Sequence, residues 1–233
     1  MKPRPLLLAC LAALLAAPPA GAAAPAVRQM VVFRDGDAVT RTVKAKQVMV
    51  KVGRRRCAAG EGTALAALVR SGVGPLRLVD YGSCSARPRD GAGLFVRAIG
   101  GDRNRGQNGW VYKVGRRGAT AGAADPSGPF GRGRLKGGQR VTWFYCRLRD
   151  GGCQRTLELE ASTEPGAVAV TVRGYDDEGN GVPVAGATVS AGAVSGVTAA
   201  DGAVRLALPA GSHRLVAAKD GLVRSFAEGI TVP

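Results

Sequence analysis

The chain has 233 residues, enough for one large domain or two small ones, and only 5% of them are aromatic. Glycine and alanine are abundant, which excludes a core rich in large side chains. A small domain with such a core usually needs disulfides or a bound metal for stability. The net charge is +16, and beyond the N-terminal segment no run is long and apolar enough to cross a membrane.

The first 22 residues have the pattern of a secretory signal peptide. Lys2 and Arg4 precede an apolar run over residues 6–17, and residues 20–22 (Ala-Gly-Ala) form an A-x-A cleavage pattern. An uncleaved apolar tail is the alternative. Cys10 sits in a lipobox-like context, but the apolar run continues past it, so we expect it to be lost with the signal. The sequence predicts a secreted or cell-envelope protein, outside the inner membrane.

Four cysteines follow the predicted signal: Cys57, Cys84, Cys146 and Cys153. An even number in an exported chain predicts two disulfides, and four cysteines allow three connectivities. Strand-like segments at 141–145 and 154–159 flank the last two cysteines, and a hairpin there would favour Cys146–Cys153, leaving Cys57–Cys84. A zinc site is the weaker alternative, because there is no C-x-x-C pair and the single histidine, His213, is distant in sequence. No metal is predicted.

The positive charge is confined to the first half of the chain. Residues 25–165 contain 26 Lys and Arg against 11 Asp and Glu, whereas residues 166–233 contain 5 against 6. Such a field attracts anionic polymers, nucleic acid or lipid headgroups. The arginines are scattered with no clear aromatic-basic stripe, so a solvated basic surface is the simpler interpretation, and nucleic acid is not an expected partner.

The predicted elements of the first half are strands with one helix among them. Strands are predicted at 30–34, 38–43, 48–52, 76–81, 94–99, 110–114 and 141–146. The helix is predicted over residues 63–71, with Thr63 as its N-cap and Gly72 closing it. Residues 115–134 form an unusually long Gly/Pro/Arg connection. A sheet crossed by one helix predicts an α+β, β-grasp-like domain.

The second half consists of strand and turn patterns only. The periodic pattern breaks around residues 162–166, where we predict the domain boundary. Beyond it, strands recur at eight-to-twelve-residue spacing with turn signals such as Asp201-Gly202. The sequence therefore predicts a mainly β protein, with a β-grasp-like domain at 28–160 and a small all-β sandwich at 166–233.

Three segments of the first half resemble the domain of unknown function DUF4430: GTALAAL at 62–68, GWVYKV at 109–114 and LKGGQRVTWFY at 135–145. The resemblance covers about residues 28–147. It departs at Gly115-Arg116, where Asn-Gly is usual, and at Gln139, where Asp is usual. That family is similar to the C-terminal β-domain of the cobalamin carriers, which also need a helical domain. This chain shows no helical domain, so no cofactor is predicted.

The second half resembles the carboxypeptidase regulatory-like, transthyretin-like sandwich. The matching segments are VAGATV at 184–189, TAADGAV at 198–204 and LPAGSHRL at 208–215. The resemblance implies a spacer or protein-contact module. No H-x-x-E zinc signature is present, so carboxypeptidase activity is not implied.

The sequence offers little for catalysis. Nucleophilic catalysis needs a nucleophile beside a base, and the lone His213 lies in a predicted strand. The acidic turn at 176–178 is expected to be solvated, with weak calcium binding at most. We therefore predict no catalytic residues and a protein that is not an enzyme.

Two aromatic pairs are the best candidates for a ligand site. Residues two apart on a strand share a face, so Trp110 with Tyr112, and Trp143 with Tyr145, would form a stacking platform. The alternative is that these rings form the core. The loop at 102–108 would add polar contacts from Arg103 and Arg105.

Together these patterns predict an exported, non-catalytic binding or adhesion-type protein. Its ligand would be a small molecule or an envelope polymer, recognised by the first domain, with a possible protein contact through the C-terminal sandwich. One alternative is a basic cell-envelope protein that binds anionic polymers by charge, and another is an uncharacterised enzyme.

Overall fold

The computed structural model describes residues 23–233, so the predicted signal peptide lies outside the described residues. Within them the chain forms eighteen β-strands, one α-helix and one short 3-10 helix. The prediction of a mainly β fold with one short helix is confirmed. Strands β1–β10 and the helix form a first unit, and β11–β18 form a second.

The first unit is built around a five-stranded sheet in the order β2-β1-β10-β8-β9. Its first and last long strands, β1 and β10, lie side by side and parallel, and their outer neighbours run antiparallel to them. This order, with a helix across one face, is a β-grasp arrangement. The hairpin β3–β4 and the sheet β5-β6-β7 complete the unit. The strands are β1 (Ala26–Val32), β2 (Ala38–Lys44), β3 (Val48–Val52), β4 (Arg55–Ala59), β5 (Leu76–Asp80), β6 (Leu94–Ile99), β7 (Asp102–Arg103), β8 (Gly109–Val114), β9 (Arg117–Gly118) and β10 (Arg140–Cys146).

The helix α1 (Ala64–Arg70) forms where the sequence predicts it. Thr63 caps it by accepting a hydrogen bond from the amide of the third helical residue. Gly72, at φ +65°, follows the helix in the left-handed conformation that glycine tolerates. Seven residues are too few for an independent helix, so its stability comes from packing Leu65 and Leu68, both fully buried, into the core of the first unit.

The second unit is a sandwich of two antiparallel sheets. One sheet has the order β11-β12-β13, with β16 also paired to β12, and the other has the order β15-β14-β17-β18. Aliphatic side chains such as Val170, Val189 and Leu215 fill the space between them. The strands are β11 (Thr156–Glu164), β12 (Ala167–Tyr175), β13 (Gly181–Pro183), β14 (Thr188–Ala191), β15 (Val194–Val197), β16 (Ala203–Leu206), β17 (Gly211–Ala218) and β18 (Glu228–Val232).

The strand that follows the last cysteine belongs to the second unit. The sequence predicts a hairpin between residues 141–145 and 154–159, but β11 instead pairs along its whole length with β12. Both edges of β10 are already occupied, by β1 and β8, so β10 has no free edge for a hairpin partner. The predicted hairpin is wrong. Leu157 and Leu159 lie in the core of the sandwich, whereas the sequence assigns residues up to 160 to the first domain.

The structure contains the two disulfides that the sequence favours. Cys57–Cys84 joins β4 to the segment after β5 inside the first core, with Cα atoms 5.4 Å apart. Cys146–Cys153 closes the short loop between β10 and β11, with Cα atoms 5.2 Å apart. Chain proximity across seven residues brings the second pair together without a hairpin.

The two units pack against each other through an apolar cluster and ion pairs. The cluster contains Met30, Val32, Phe144, Cys146, Val223 and Phe226. Beside it, Glu228 of β18 receives Arg28 and Arg140 of the first unit, whose guanidinium groups also lie over the Phe226 ring. Farther along, Arg116 pairs with Glu158 at 2.7 Å. Part of the excess positive charge of the first unit therefore meets carboxylates of the second.

Candidate functional site

The four aromatic candidates form one cluster on neighbouring strands. Tyr112 lies opposite Trp143, and Trp110 opposite Tyr145, in the register of β8 and β10. The first pair stacks with ring centroids 4.9 Å apart, and the second meets edge-on at 6.0 Å. All four rings are buried in the core that holds α1, with Trp143 only 1% exposed and Trp110 3%. Their first role is therefore packing in the core of the first unit.

Hydrogen bonds to backbone carbonyls fix three of these rings. The donor–acceptor pairs are Trp110 Nε1 with Asp102 O at 2.9 Å, Tyr112 Oη with Ala121 O at 3.0 Å and Tyr145 Oη with Arg103 O at 2.9 Å. Burial, followed by the nearby charge of Asp125, raises the pKa of Tyr112 well above its usual value. The phenol is therefore a neutral hydrogen-bond donor at physiological pH.

An apolar cleft of about 470 Å³ opens along the edge of β8. The short strand β9 covers only the last two residues of β8, Lys113 and Val114. The edge of β8 at residues 110–112 therefore has no strand beside it. Trp110, Tyr112 and Trp143 line the cleft together with β6 and residues 118–123, while Tyr145 does not reach it.

The long segment between β9 and β10 supplies one wall of the cleft. The sequence predicts a long loop for this segment. In the structure, the segment is hydrogen-bonded to the rest of the unit. The carbonyl of Ala123 accepts from Leu65 N of α1 at 2.7 Å, and the carbonyl of Ala121 accepts from Tyr112. Ala123 and Ala124 are buried beneath it. These contacts hold the wall in place, so the cleft is formed without a ligand.

The second unit contributes to the rim of the cleft. The turn at residues 176–178, expected from the sequence to be solvated, instead packs against the first unit. Gly118 N donates to the carbonyl of Asp177 at 2.8 Å, and an Asp177 carboxylate oxygen accepts from Cys153 N at 3.3 Å. Asp177 and Glu178 both line the cleft. The rim therefore contains the carboxylates of Asp177 and Glu178 and also Arg117, whose guanidinium group lies over the Phe130 ring.

Lys113 is the most deeply buried charged group at this junction. Its side chain is 1% exposed, and Nζ donates to the carbonyls of Tyr175 at 2.9 Å and Asp176 at 2.8 Å. A carboxylate oxygen of Asp177 lies 3.2 Å from the same nitrogen. Burial lowers the pKa of Lys113, and the charge of Asp177 opposes that effect. The lysine binds the two units together through three oxygen atoms of one turn.

The two candidate arginines lie away from the cleft. Arg103 is exposed on β7 and lines a different groove, on the outer side of the sheet β5-β6-β7. Arg105 is exposed in a tight turn closed by backbone hydrogen bonds with Asn108. The structure therefore does not bring the arginine side chains together with the aromatic cluster.

The single histidine is engaged in local structure. His213 lies on β17 with its Nε2 atom 2.7 Å from the carbonyl of Pro209. Across residues 23–233, no three His, Cys, Asp or Glu side chains cluster in a way that could hold a metal ion. In the same range, no helix has the length and apolar character needed to cross a membrane.

The sequence did not reveal two features of the junction between the units. One is the burial of Lys113, because the strand pattern of β8 does not indicate that the side of β8 carrying Lys113 is covered by the second unit. The other is a polar groove of about 720 Å³ between residues 32–36 and residues 218–224. Both arise where the two units meet, and no local periodicity encodes that contact.

Comparison of the chain with known protein families, with curated proteins and with solved structures found no match in any of the three.

Proposed function

We propose that the protein is an exported, non-catalytic binding protein whose first unit takes a small, mainly apolar ligand in the cleft along β8. The main observation that supports this proposal is the cleft itself. Its volume of about 470 Å³ lies in the range of small-molecule sites, and it is lined chiefly by apolar and aromatic groups with a few polar ones at the rim. The rings of Trp110 and Tyr112 offer apolar contact to a planar ligand.

The two disulfides support the exported location, because such bonds persist in oxidising compartments. The second unit has two roles in the proposal. It completes the rim through Asp177 and Glu178 and leaves its other faces for a spacer or protein-contact role. A non-catalytic role is consistent with the position of His213, which lies on β17, outside the lining of the cleft.

A thermal-shift screen tests the proposal with corrinoids, disaccharides, aromatic acids and medium-chain fatty acids at 0.05 and 0.5 M NaCl. A probe at 100 times its Kd stabilises the folded state by about 2.7 kcal/mol. The expected result is that one small probe raises the Tm equally at both salt concentrations. Failure of every probe at millimolar concentration contradicts the proposal.

A variant that fills the cleft locates the site. Ala121 is partly buried, lines the cleft and contributes only its carbonyl to the hydrogen bond with Tyr112. Ala121→Phe should abolish the shift, whereas the neighbouring Thr120→Ala, at an exposed lining position, should retain it. Trp110→Ala is a poor test because removing a buried tryptophan costs about 3–5 kcal/mol of stability. A shift that survives in Ala121→Phe places the site elsewhere.

A further inference from the structure

A second surface of the first unit combines exposed cations with exposed aromatic rings. A groove of about 580 Å³ runs between the hairpin β3–β4 and the sheet β5-β6-β7. Four exposed cations line it: Lys51, Arg77, Arg97 and Arg103. No acidic side chain is among the residues that line this groove. We call these four cations, together with Phe95, which shares a face of β6 with Arg97, and Tyr81, which contacts Phe95, the outer face.

The cations of the outer face have no internal partners. Within residues 23–233, none of the four forms an ion pair or donates a side-chain hydrogen bond, unlike Arg55, which pairs with the buried carboxylate of Asp80 at 3.4 Å. Asp80 also accepts hydrogen bonds from the amides of the turn that follows β5, so its charge is used inside the protein. Across the hairpin, Lys51 lies directly opposite Arg56, a like-charge pair that destabilises the free protein. An anionic partner would remove that repulsion.

Two exposed aromatic rings contact each other, and one of them, Phe95, lies on the same face of β6 as Arg97. Tyr81 is 73% exposed and Phe95 40%, and their ring centroids lie 5.8 Å apart at an interplanar angle of 58°. On β6, Phe95 and Arg97 point outward while the alternate residues Leu94 and Val96 are buried. A single exposed ring needs no explanation, but two rings in contact beside unpaired arginines form a surface with both stacking and ionic capacity.

We propose that the outer face binds an acidic polysaccharide. Guanidinium groups pair with the carboxylates of uronate residues, and aromatic faces pack against the C–H faces of sugar rings. The two disulfides indicate that the protein functions outside the reducing cytosol. Acidic polysaccharides are among the polyanions found outside the cytosol. None of the four cations lines the cleft along β8, although Phe95 does, and the inference rests on the cations whether or not the cleft binds a ligand.

Binding of an oligogalacturonate of defined length to the full mature protein tests the proposal by titration calorimetry at 50 and 200 mM NaCl. Arg77→Gln/Arg97→Gln should weaken binding roughly tenfold at 50 mM NaCl, because two ionic contacts are lost. The matched control, Arg132→Gln/Arg214→Gln, removes the same charge at two exposed positions outside the groove and should change Kd less than twofold. A neutral dextran of equal length should not bind.

The aromatic contribution has a separate test. Tyr81→Ala should weaken binding roughly twofold to tenfold at both salt concentrations, while Tyr81→Phe should retain it, since the ring and not the hydroxyl makes the contact. Tyr81 is highly exposed, so both variants should keep the wild-type Tm. Ala121→Phe, which fills the cleft, should leave the oligogalacturonate affinity unchanged and so separates the two sites.

Three results would overturn the proposal. Equal weakening by the two arginine pairs would mean that diffuse charge, not the outer face, attracts the polymer. Tighter binding of a single-stranded oligodeoxynucleotide of equal charge would assign the surface to nucleic acid. Absence of oligogalacturonate binding at 50 mM NaCl would remove the site altogether.

Discussion

The first unit contains two groups of Lys and Arg side chains in different environments: one group lies at the interface with the second unit, and the other lies on the outer face. The interface cations are Arg28, Lys113, Arg116 and Arg140, each paired with a carboxylate of the second unit. The cations of the outer face have no such partner among the described residues. Both groups contribute equally to the net charge of the sequence. The interface cations, however, form ion pairs between the two units, whereas the outer-face cations remain available to a binding partner.

Burial explains the difference most clearly at Lys113, which is 1% exposed, whereas Arg116 is 46% exposed and pairs with the neighbouring Glu158. A cation removed from water needs oxygen partners to offset the lost hydration, and Lys113 has three of them. An exposed arginine is hydrated and needs none. We therefore expect interface cations to control stability and outer-face cations to control binding, and the following predictions test that division from the largest expected effect to the smallest.

Lys113→Met should lower the free energy of unfolding by about 3 kcal/mol, because it leaves two carbonyls and Asp177 without their donor. Urea denaturation measures the change. Lys136→Met, at an exposed position, is the matched control and should change stability by less than about 0.5 kcal/mol. A loss of under about 1 kcal/mol for Lys113→Met would show that water replaces the lysine and that the junction does not depend on it.

Glu228→Gln should lower the free energy of unfolding by about 1 kcal/mol, since this half-buried carboxylate receives both Arg28 and Arg140. The loss should shrink in 1 M NaCl, because salt screens the ion pairs of the wild type. Glu160→Gln serves as the control: its carboxylate is 77% exposed and should contribute almost nothing. An equal effect of the two variants would erase the distinction between paired and solvated charges at the interface.

The pH dependence of stability should show a smaller contribution from Lys113. Its pKa in the folded protein lies below the ordinary value of 10.5, so between the two values the unfolded chain binds a proton that the folded chain does not. Stability then rises with pH across that window. The difference in unfolding free energy between wild type and Lys113→Met should widen as pH approaches 10.5. A difference independent of pH would mean that burial does not perturb this lysine.

The smallest effect is expected on the outer face. Lys51→Glu places opposite charges across the hairpin from Arg56 and should raise stability by about 0.2–1 kcal/mol. The same substitution should weaken oligogalacturonate binding. Thermal denaturation and calorimetry on the same sample would show whether stability and binding change in opposite directions. Parallel losses in both would mean that Lys51 has a structural role.

Local sequence patterns predict some properties of these residues, and tertiary contacts decide the others. Alternation on β8 and β10 correctly predicts that Trp110 shares a face with Tyr112, but it does not show that this face lies in the core of the first unit. The turn at 176–178 has the composition of a solvated loop, and only its contact with Gly118 and Lys113 makes it part of an interface. The exposed rings of Tyr81 and Phe95 lie fourteen positions apart in the sequence and meet through the pairing of β5 with β6.

The sequence by itself determined the mainly β class, the single capped helix and the even set of cysteines, because periodicity, capping and residue counts act over a few neighbouring positions. Tertiary structure alone decided that β11 joins the sandwich, that the aromatic pairs are buried, and which cations are paired. Those outcomes depend on which strand edges are free and which faces the two units cover, and such contacts join residues far apart in the chain.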